Sequence, residues 1–309
     1  MAKTKVKEGK KRLKLFAYGQ EGSGKTTACI QFKDSFIFDL EKGCENYMAT
    51  IGKMNSVVHP YEPAITFDDV VTKIRWLGTE RHHFKSLIID PITVLSEKCQ
   101  EKWNRIFLKY EKDEKDKELM DFGFRYWAKV KADWKNMRNR LLELDMNVLV
   151  TAHQKDLYNS SMQKIGVTFD SIKDDGYIFD NIFKIDIINK KLIAKTIKQR
   201  VDLLAGETGF PDEFEWSYDN FIKYYGDIIE KETEPVIKAT KEQVQKLKAL
   251  IALLNTPTDT VEKWLDKANA DTFEDFTSEQ IEKCIAYLQK QVDELNQKLK
   301  EGVKNDKNS

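Results

Sequence analysis

The sequence predicts an α/β protein, with a mostly parallel sheet flanked by helices, an added antiparallel hairpin and a small helical domain towards the carboxyl end. Three observations predict it. Short apolar runs rich in β-branched and aromatic residues alternate with longer amphipathic stretches from Leu13 to about Tyr225, the pattern of strands joined through helices. One of these runs passes directly into a glycine-rich loop. Beyond a polar segment containing Pro235 the spacing of apolar residues becomes purely helical.

The expected strands are LKLFAY (13–18), SFIFDL (35–40), SLIID (86–90) and NVLVTA (147–152), each short and apolar enough to be buried on both faces. Helical stretches are expected at about 24–33, 67–77 and across 92–145. The later pair YIFDNIFKIDIIN (177–189) and KLIAKTIK (191–198) meets at Asn189-Lys190 and reads as the hairpin. In the long helical region, DFGFRYW (121–127) opens a helix whose Trp127, Val130, Trp134, Met137 and Leu141 form a core face. Residues 230–240 read as a linker. After it, Thr240 and Gln243 have capping-box spacing and Val244, Leu247, Ile251 and Leu254 share one face. A second helix holds Val261, Trp264 and Leu265. A third, led by Thr277 and Gln280, aligns Ile281, Cys284, Ile285, Leu288, Val292, Leu295 and Leu299. The expected organisation is therefore a basic flexible arm (1–12), a main domain (13–229), the linker (230–240), a three-helix domain (241–300) and a disordered tail (301–309).

Of the 309 residues 41% are hydrophobic and 33% charged, which excludes a disordered or fibrous chain. No apolar run reaches the length of a membrane helix and the opening residues lack the apolar stretch of a signal peptide, so a cytoplasmic protein is expected. The 51 basic and 51 acidic residues cancel overall but not locally. Residues 1–14 carry seven Lys/Arg against Glu8, whereas residues 227–309 carry 13 basic and 17 acidic groups. The basic arm is suited either to phosphates or simply to solvent. The four cysteines have no C-x-x-C spacing and read as reduced structural thiols, and the adjacent His82 and His83 read as a surface pair.

The chemistry is concentrated at the ends of the expected strands. Gly19-Gln20-Glu21-Gly22-Ser23-Gly24-Lys25-Thr26 fits G-x-x-x-x-G-K-[ST] between a strand and a helix, the pattern of a phosphate-binding loop. Its backbone N–H groups, continuing to Thr27, can converge on phosphate oxygens. Lys25 can reach the β/γ-phosphates, and Thr26 can hold Mg²⁺. Asp90, at the end of LIID, is placed to share that Mg²⁺. The second strand ends in Asp39 and Glu41 and the fourth in His153 and Gln154, so all four elements can meet over one nucleotide at the carboxyl edge of the sheet.

In this order of phosphate loop, Glu, Asp and Gln, the chain resembles the RecA-like ATPases over roughly residues 10–200. The resemblance implies ATP and Mg²⁺ as cofactors. It makes Glu41 the general base that activates water, with Asp39 as competitor, and Gln154 the γ-phosphate sensor, with His153 beside it. More narrowly, the compact core, TAHQ (151–154), KTIKQR (195–200), FEWSYDNFIKYYG (214–226) and a helical tail resemble the phage-encoded short RecA-like ATPases of single-strand annealing recombination. The resemblance implies a homo-oligomer acting on single-stranded DNA. One departure is that no separate N-terminal oligomerisation domain precedes the core, which leaves filament formation open.

By the same resemblance the loop at about 155–176 faces DNA, where Tyr158 and Phe169 can stack on bases and Lys155, Lys164 and Lys173 can track phosphates. An ordinary surface loop or lid is the alternative. Lys195, Lys198 and Arg200 are candidates to complete a neighbouring subunit's ATP site, or equally to guard an exposed strand edge. The leading expectation is an ATP-dependent recombination protein that promotes annealing or strand exchange. The alternatives are a helicase loader or other remodelling ATPase, and a nucleotide-gated DNA-binding protein with incidental hydrolysis. The helical tail is the expected docking point for a single-strand-binding protein or a helicase.

Overall fold

The computed structural model describes residues 11–110, 123–172, 175–201, 208–233, 237–268, 270 and 272–305. The chain divides into two compact units, Met1–Glu234 and Pro235–Ser309. In the first unit the elements run β1 (Lys14–Gly19), α1 (Lys25–Cys29), β2 (Ser35–Asp39), α2 (Met48–Lys53), β3 (Val57–Val58), α3 (Phe67–Thr79), β4 (Ser86–Asp90) and α4 (Ile92–Tyr110). There follow α5 (Gly123–Glu143), β5 (Asn147–Tyr158), β6 (Lys164–Asp170), α6 (Asp175–Ile178), β7 (Asn181–Ile188), β8 (Lys191–Lys198), β9 (Glu213–Glu215) and α7 (Tyr218–Tyr225).

The strands form one sheet in the order β3-β2-β4-β5-β1-β7-β8-β9, with β6 added to β5. All pairings from β3 to β7 are parallel; β5–β6, β7–β8 and β8–β9 are antiparallel. Strand β5 therefore lies between β1, which feeds the glycine-rich loop, and β4, which ends in Asp90. This is the mostly parallel sheet of the expected α/β fold, with its added antiparallel hairpin. Side chains alternate between two layers. Phe16, Phe38, Leu87, Ile89, Val148 and Val150 pack under α3, α4 and α5. Leu15, Ala17, Ile37, Ile88 and Leu149 pack under α1, α2 and α7. Both faces being covered explains why the central strands read as continuous apolar runs.

Several expectations are corrected. The fourth strand does not stop at Ala152. It continues to Tyr158 and pairs with β6 from His153↔Asp170 to Tyr158↔Lys164, so the expected loop at 155–176 is largely a two-stranded ribbon. The Asn159 side chain makes its turn by accepting from the backbone N–H groups of Ser161 and Gln163. The later hairpin turns at Asn189 and Lys190, whose φ values of 50° and 63° are those of a two-residue primed turn. Its first strand begins only at Asn181. Residues 175–178 form a helical turn because the fully buried Asp175 carboxylate accepts from Trp134 Nε1 at 3.0 Å, Arg138 Nη1 at 2.6 Å and the Ser171 hydroxyl. Trp127, expected in the core face of α5, is 38% exposed, while Val130, Trp134, Met137 and Leu141 are buried there.

Nor is Arg12 part of a free arm. It is buried, pairs with Asp145 at 3.0 Å, and donates to the carbonyls of Ile228, Lys231 and Glu232. This also ties the first residues of the expected linker to the main unit; residues 1–10 lie outside the described residues. The second unit holds α8 (Lys241–Leu253), α9 (Thr258–Ala268) and α10 (Ser278–Asn305) around Val244, Leu247, Ile281, Ile285 and Leu288. Both capping pairs form. Gln243 Oε1 accepts from Thr240 N at 2.8 Å, and Gln280 Oε1 accepts from Thr277 N at 2.8 Å. Helix α10 runs to Asn305, into the segment expected to be disordered, because Lys, Leu and Glu at 298–301 are good helix formers. Residues 306–309 lie outside the described residues.

Buried Lys14 closes the carboxyl end of α5, donating to the carbonyls of Leu141 at 3.2 Å, Leu144 at 2.8 Å and Met146 at 2.9 Å. Burial pushes its pKa down to about 7, with the Asp145 carboxylate opposing and the Arg12 guanidinium assisting. Between that value and the ordinary lysine value of 10.5 the folded chain binds fewer protons than the unfolded one, so stability rises with pH, by at most ~1.4 kcal/mol per pH unit. The three carbonyls favour the ammonium form and keep the slope below that ceiling. Denaturant melts of the main unit are therefore expected to shift upward from pH 7 to pH 9, and Lys14→Met is expected to lose the slope.

Candidate active site

The glycine-rich loop leaves β1 at Gly19 and enters α1 at Lys25. Gly22 and Gly24 have φ values of 71° and 84°, in the left-handed region that favours glycine. At Gly19 the constraint is space, since a Cβ there would lie 2.5 Å from the Ile185 carbonyl oxygen of β7. Helix α1 is shorter than the expected 24–33. The Trp216 indole donates to the Ala28 carbonyl at 2.9 Å, taking one of the groups that would carry the helix onward.

The loop borders a cleft of about 670 Å³ lined by Glu21, Gly22, Gly24, Lys25, Thr26, Thr27, Glu41, Gly43, Tyr47, Asp90, His153, Gln154 and Ile187. Four strand ends meet here, as the parallel order requires. Thr26 Oγ1 donates to Asp90 Oδ2 at 2.5 Å, and the Thr151 hydroxyl donates to Asp90 Oδ1. Burial pushes the Asp90 pKa up; the two hydroxyls and the Lys25 ammonium work the other way. Lys25 Nζ donates to the carbonyls of Gly19 at 3.0 Å and Gln20 at 2.8 Å. Burial lowers its pKa against the pull of Asp90, Glu41 and Glu21.

The second strand separates its two acids. Asp39 is buried, and its carboxylate accepts from Gly43 N at 3.0 Å, Cys44 N at 2.7 Å and the Tyr61 hydroxyl at 2.6 Å. It lies behind the cleft. Glu41 lies in the cleft, 3.0 Å from His153 Nε2. Next to that histidine, Gln154 Oε1 is buried with no partner, as is Ser23 Oγ in the loop.

These features fit a nucleoside triphosphate with Mg²⁺. An ammonium group that can leave two carbonyls, a buried carboxylate beside a threonine hydroxyl, and the partnerless Ser23 hydroxyl, which can donate, suit an anion with its cation. The sequence reading gave Thr151 no role, and Tyr47 and Ile187 were missed. Ile187 belongs to the β7–β8 hairpin beside the loop, and no motif signals it.

The ribbon candidates divide. Lys155 pairs with Asp170 and Lys164 with Asp156, each at 2.8 Å, and Tyr158 is half exposed. Phe169 is a correction. Its ring lies 4.5 Å from that of Phe16 and packs on Tyr18, so it belongs to the core and does not face a base. Lys173 lies outside the described residues. Of the candidates for a neighbouring site, one is also corrected. Lys198 donates to the carbonyls of Gly176, Tyr177 and Phe179. Arg200 binds Asp180 and the Tyr177 carbonyl. Lys198 is thus held by its own chain, whereas the Arg200 side chain stays 58% exposed. Lys195 is exposed, 3.9 Å from Glu213.

The strand order, the glycine-rich loop and the Thr26–Asp90 contact define a P-loop nucleotide-binding protein. Residues 11–210 match the family model of the AAA domain, and the chain belongs to that family. No curated protein matches the sequence. Among solved structures the chain is similar to one titled a crystal structure of the RadB recombinase. The two share 16% identity over 62% of this chain and 84% of that chain, with a TM-score of 0.35. Among the described residues no helix is long and apolar enough to cross a membrane.

Proposed function

We propose that the chain is a Mg²⁺- and ATP-dependent RecA-like ATPase that acts as an oligomer on single-stranded DNA and promotes annealing or strand exchange in recombination, as phage-encoded proteins of this kind do. The observation that carries the reading is the convergence of Lys25, Thr26, Asp90, Glu41 and Gln154 on one cleft. Thr26 and Asp90 would hold Mg²⁺, which supplies charge neutralisation at the β/γ-phosphates. Lys25 exchanges the Gly19 and Gln20 carbonyls for phosphate oxygens, and the loop N–H groups complete the cradle. Glu41, oriented by His153, takes the proton of the attacking water. The Gln154 amide senses the terminal phosphate.

Gln154 also supports a link to DNA. It stands on β5, whose outer half is the ribbon bearing Lys155, Tyr158 and Lys164. A change at the cleft can therefore reach the ribbon along one strand. Lys195 and Arg200 remain candidates to act on a neighbouring subunit, and the helices at 241–300 a candidate docking site for a single-strand-binding protein or a helicase.

The test is ATP turnover with and without a single-stranded oligonucleotide. Stimulation by DNA is expected. Turnover indifferent to DNA would leave the ATPase and move the function to remodelling a protein partner, to be sought on the carboxyl-terminal helices.

A further inference from the structure

We infer that Asp39 and Tyr61 form a latch that sets the position of Glu41, and so act as positioning residues for the water-activating step. The inference rests on the reading of Glu41 given above.

The latch begins with a buried carboxylate whose backbone partners all lie in one short turn. Asp39 Oδ1 accepts from the backbone N–H of Gly43 at 3.0 Å and faces that of Glu41 at 3.4 Å. Its Oδ2 accepts from Cys44 N at 2.7 Å and from the Tyr61 hydroxyl at 2.6 Å. The first three donors are the backbone of the turn that carries Glu41. The fourth comes from the segment after β3, so the turn is tied to a second part of the fold.

Two more contacts fix the turn. Lys42, at a φ of 59°, sets its ammonium 5.7 Å from the centre of the Tyr61 ring. Gly43 lies so close to the phosphate loop that a Cβ there would be 3.3 Å from Thr26 Oγ1. One turn thus presents Glu41 to the cleft while resting on the threonine that contacts Asp90. Burial and the bond to Asp39 push the Tyr61 pKa well up, so the phenol stays a donor across the neutral range.

A carboxylate is the side chain this arrangement needs. Both oxygens of Asp39 accept, whereas an asparagine would turn an N–H₂ group towards N–H donors. Tyr61→Phe is the milder change, because it removes one donor and leaves the three backbone donors in place.

The experiment compares Tyr61→Phe, Asp39→Asn, Glu41→Gln and the double variant Tyr61→Phe/Glu41→Gln by three measurements: nucleotide affinity, turnover, and the imidazole NMR signal of His153 without nucleotide. The chain has four histidines, so the signal can be assigned, and it reports the Glu41 contact directly. In Tyr61→Phe, turnover is expected to fall on the order of tenfold to a hundredfold at nearly unchanged nucleotide affinity. The His153 signal should move towards its position in Glu41→Gln. Asp39→Asn should do the same more strongly, and the double variant should lose no more turnover than Glu41→Gln alone.

An unmoved His153 signal with wild-type turnover in Tyr61→Phe would overturn the latch. So would a loss that simply adds to that of Glu41→Gln, which would assign Tyr61 to general stability. If Glu41→Gln itself kept full turnover, the catalytic reading of Glu41 would fall instead, and the NMR signal would still report whether Tyr61 positions that side chain.

Discussion

Lys25→Ala is expected to abolish measurable ATP turnover, a loss of at least about 10²- to 10³-fold, and to weaken nucleotide binding with it. Among the described residues lining the cleft, Lys25 carries the one ammonium group. Its present partners are two carbonyls of its own loop, so the side chain can turn to phosphate oxygens without giving up an ion pair. Alanine removes a positive charge from the place where the reaction gathers negative charge, and no other lining residue replaces it. The loop backbone stays, held by the turn in which Ser23 N donates to Gln20 O and by the start of α1. The melting temperature should therefore change little. Titration with a fluorescent ATP analogue, run beside steady-state turnover, checks both expectations. Unchanged binding and turnover would remove the cleft from the proposed function.

The parts of this site that obey local rules were legible in the sequence. The phosphate loop is contiguous, and its glycines are required by the backbone itself. Asp90 ends a run of apolar residues that only a buried strand explains. Hence β1, β2, β4, the first half of β5 and the capped helices of the second unit could be read directly, whereas the two-residue β3 could not. Other features depend on contacts between distant segments. The ribbon was hidden because Asn159 and the serines after it read as the middle of a loop, whereas Asn159 makes a tight turn between two strands. Phe169 looked like a stacking residue until the return of β6 brought it against Phe16. Lys198 and Arg200 looked like free cations because their partners are backbone carbonyls and Asp180, more than fifteen residues away. The competition between Asp39 and Glu41 could not be decided from spacing alone. Tyr61, which lies 22 residues after Asp39, helps to occupy that carboxylate.

Glu41→Gln is expected to separate binding from chemistry, lowering turnover by about 10²- to 10⁴-fold while nucleotide affinity stays close to that of the unaltered chain. Glutamine has nearly the same shape, so the turn held by Asp39 need not move, and Lys25, Thr26 and Asp90 keep their contacts. What is lost is the ability to accept a proton, together with the charge that draws His153 to within 3.0 Å. The contrast with Lys25→Ala is the informative one, since that change removes binding and chemistry together. A Glu41→Gln protein should therefore accumulate in the ATP-bound form. If the cleft and the ribbon are coupled through β5, that form should hold single-stranded DNA at least as tightly as the unaltered chain does during turnover. DNA affinity that is the same with ATP, with ADP and without nucleotide would break this coupling. A Glu41→Gln protein that turned over ATP at the normal rate would show that water is activated by another group. Asp39 would be a poor replacement, because its carboxylate is already filled by donors behind the cleft.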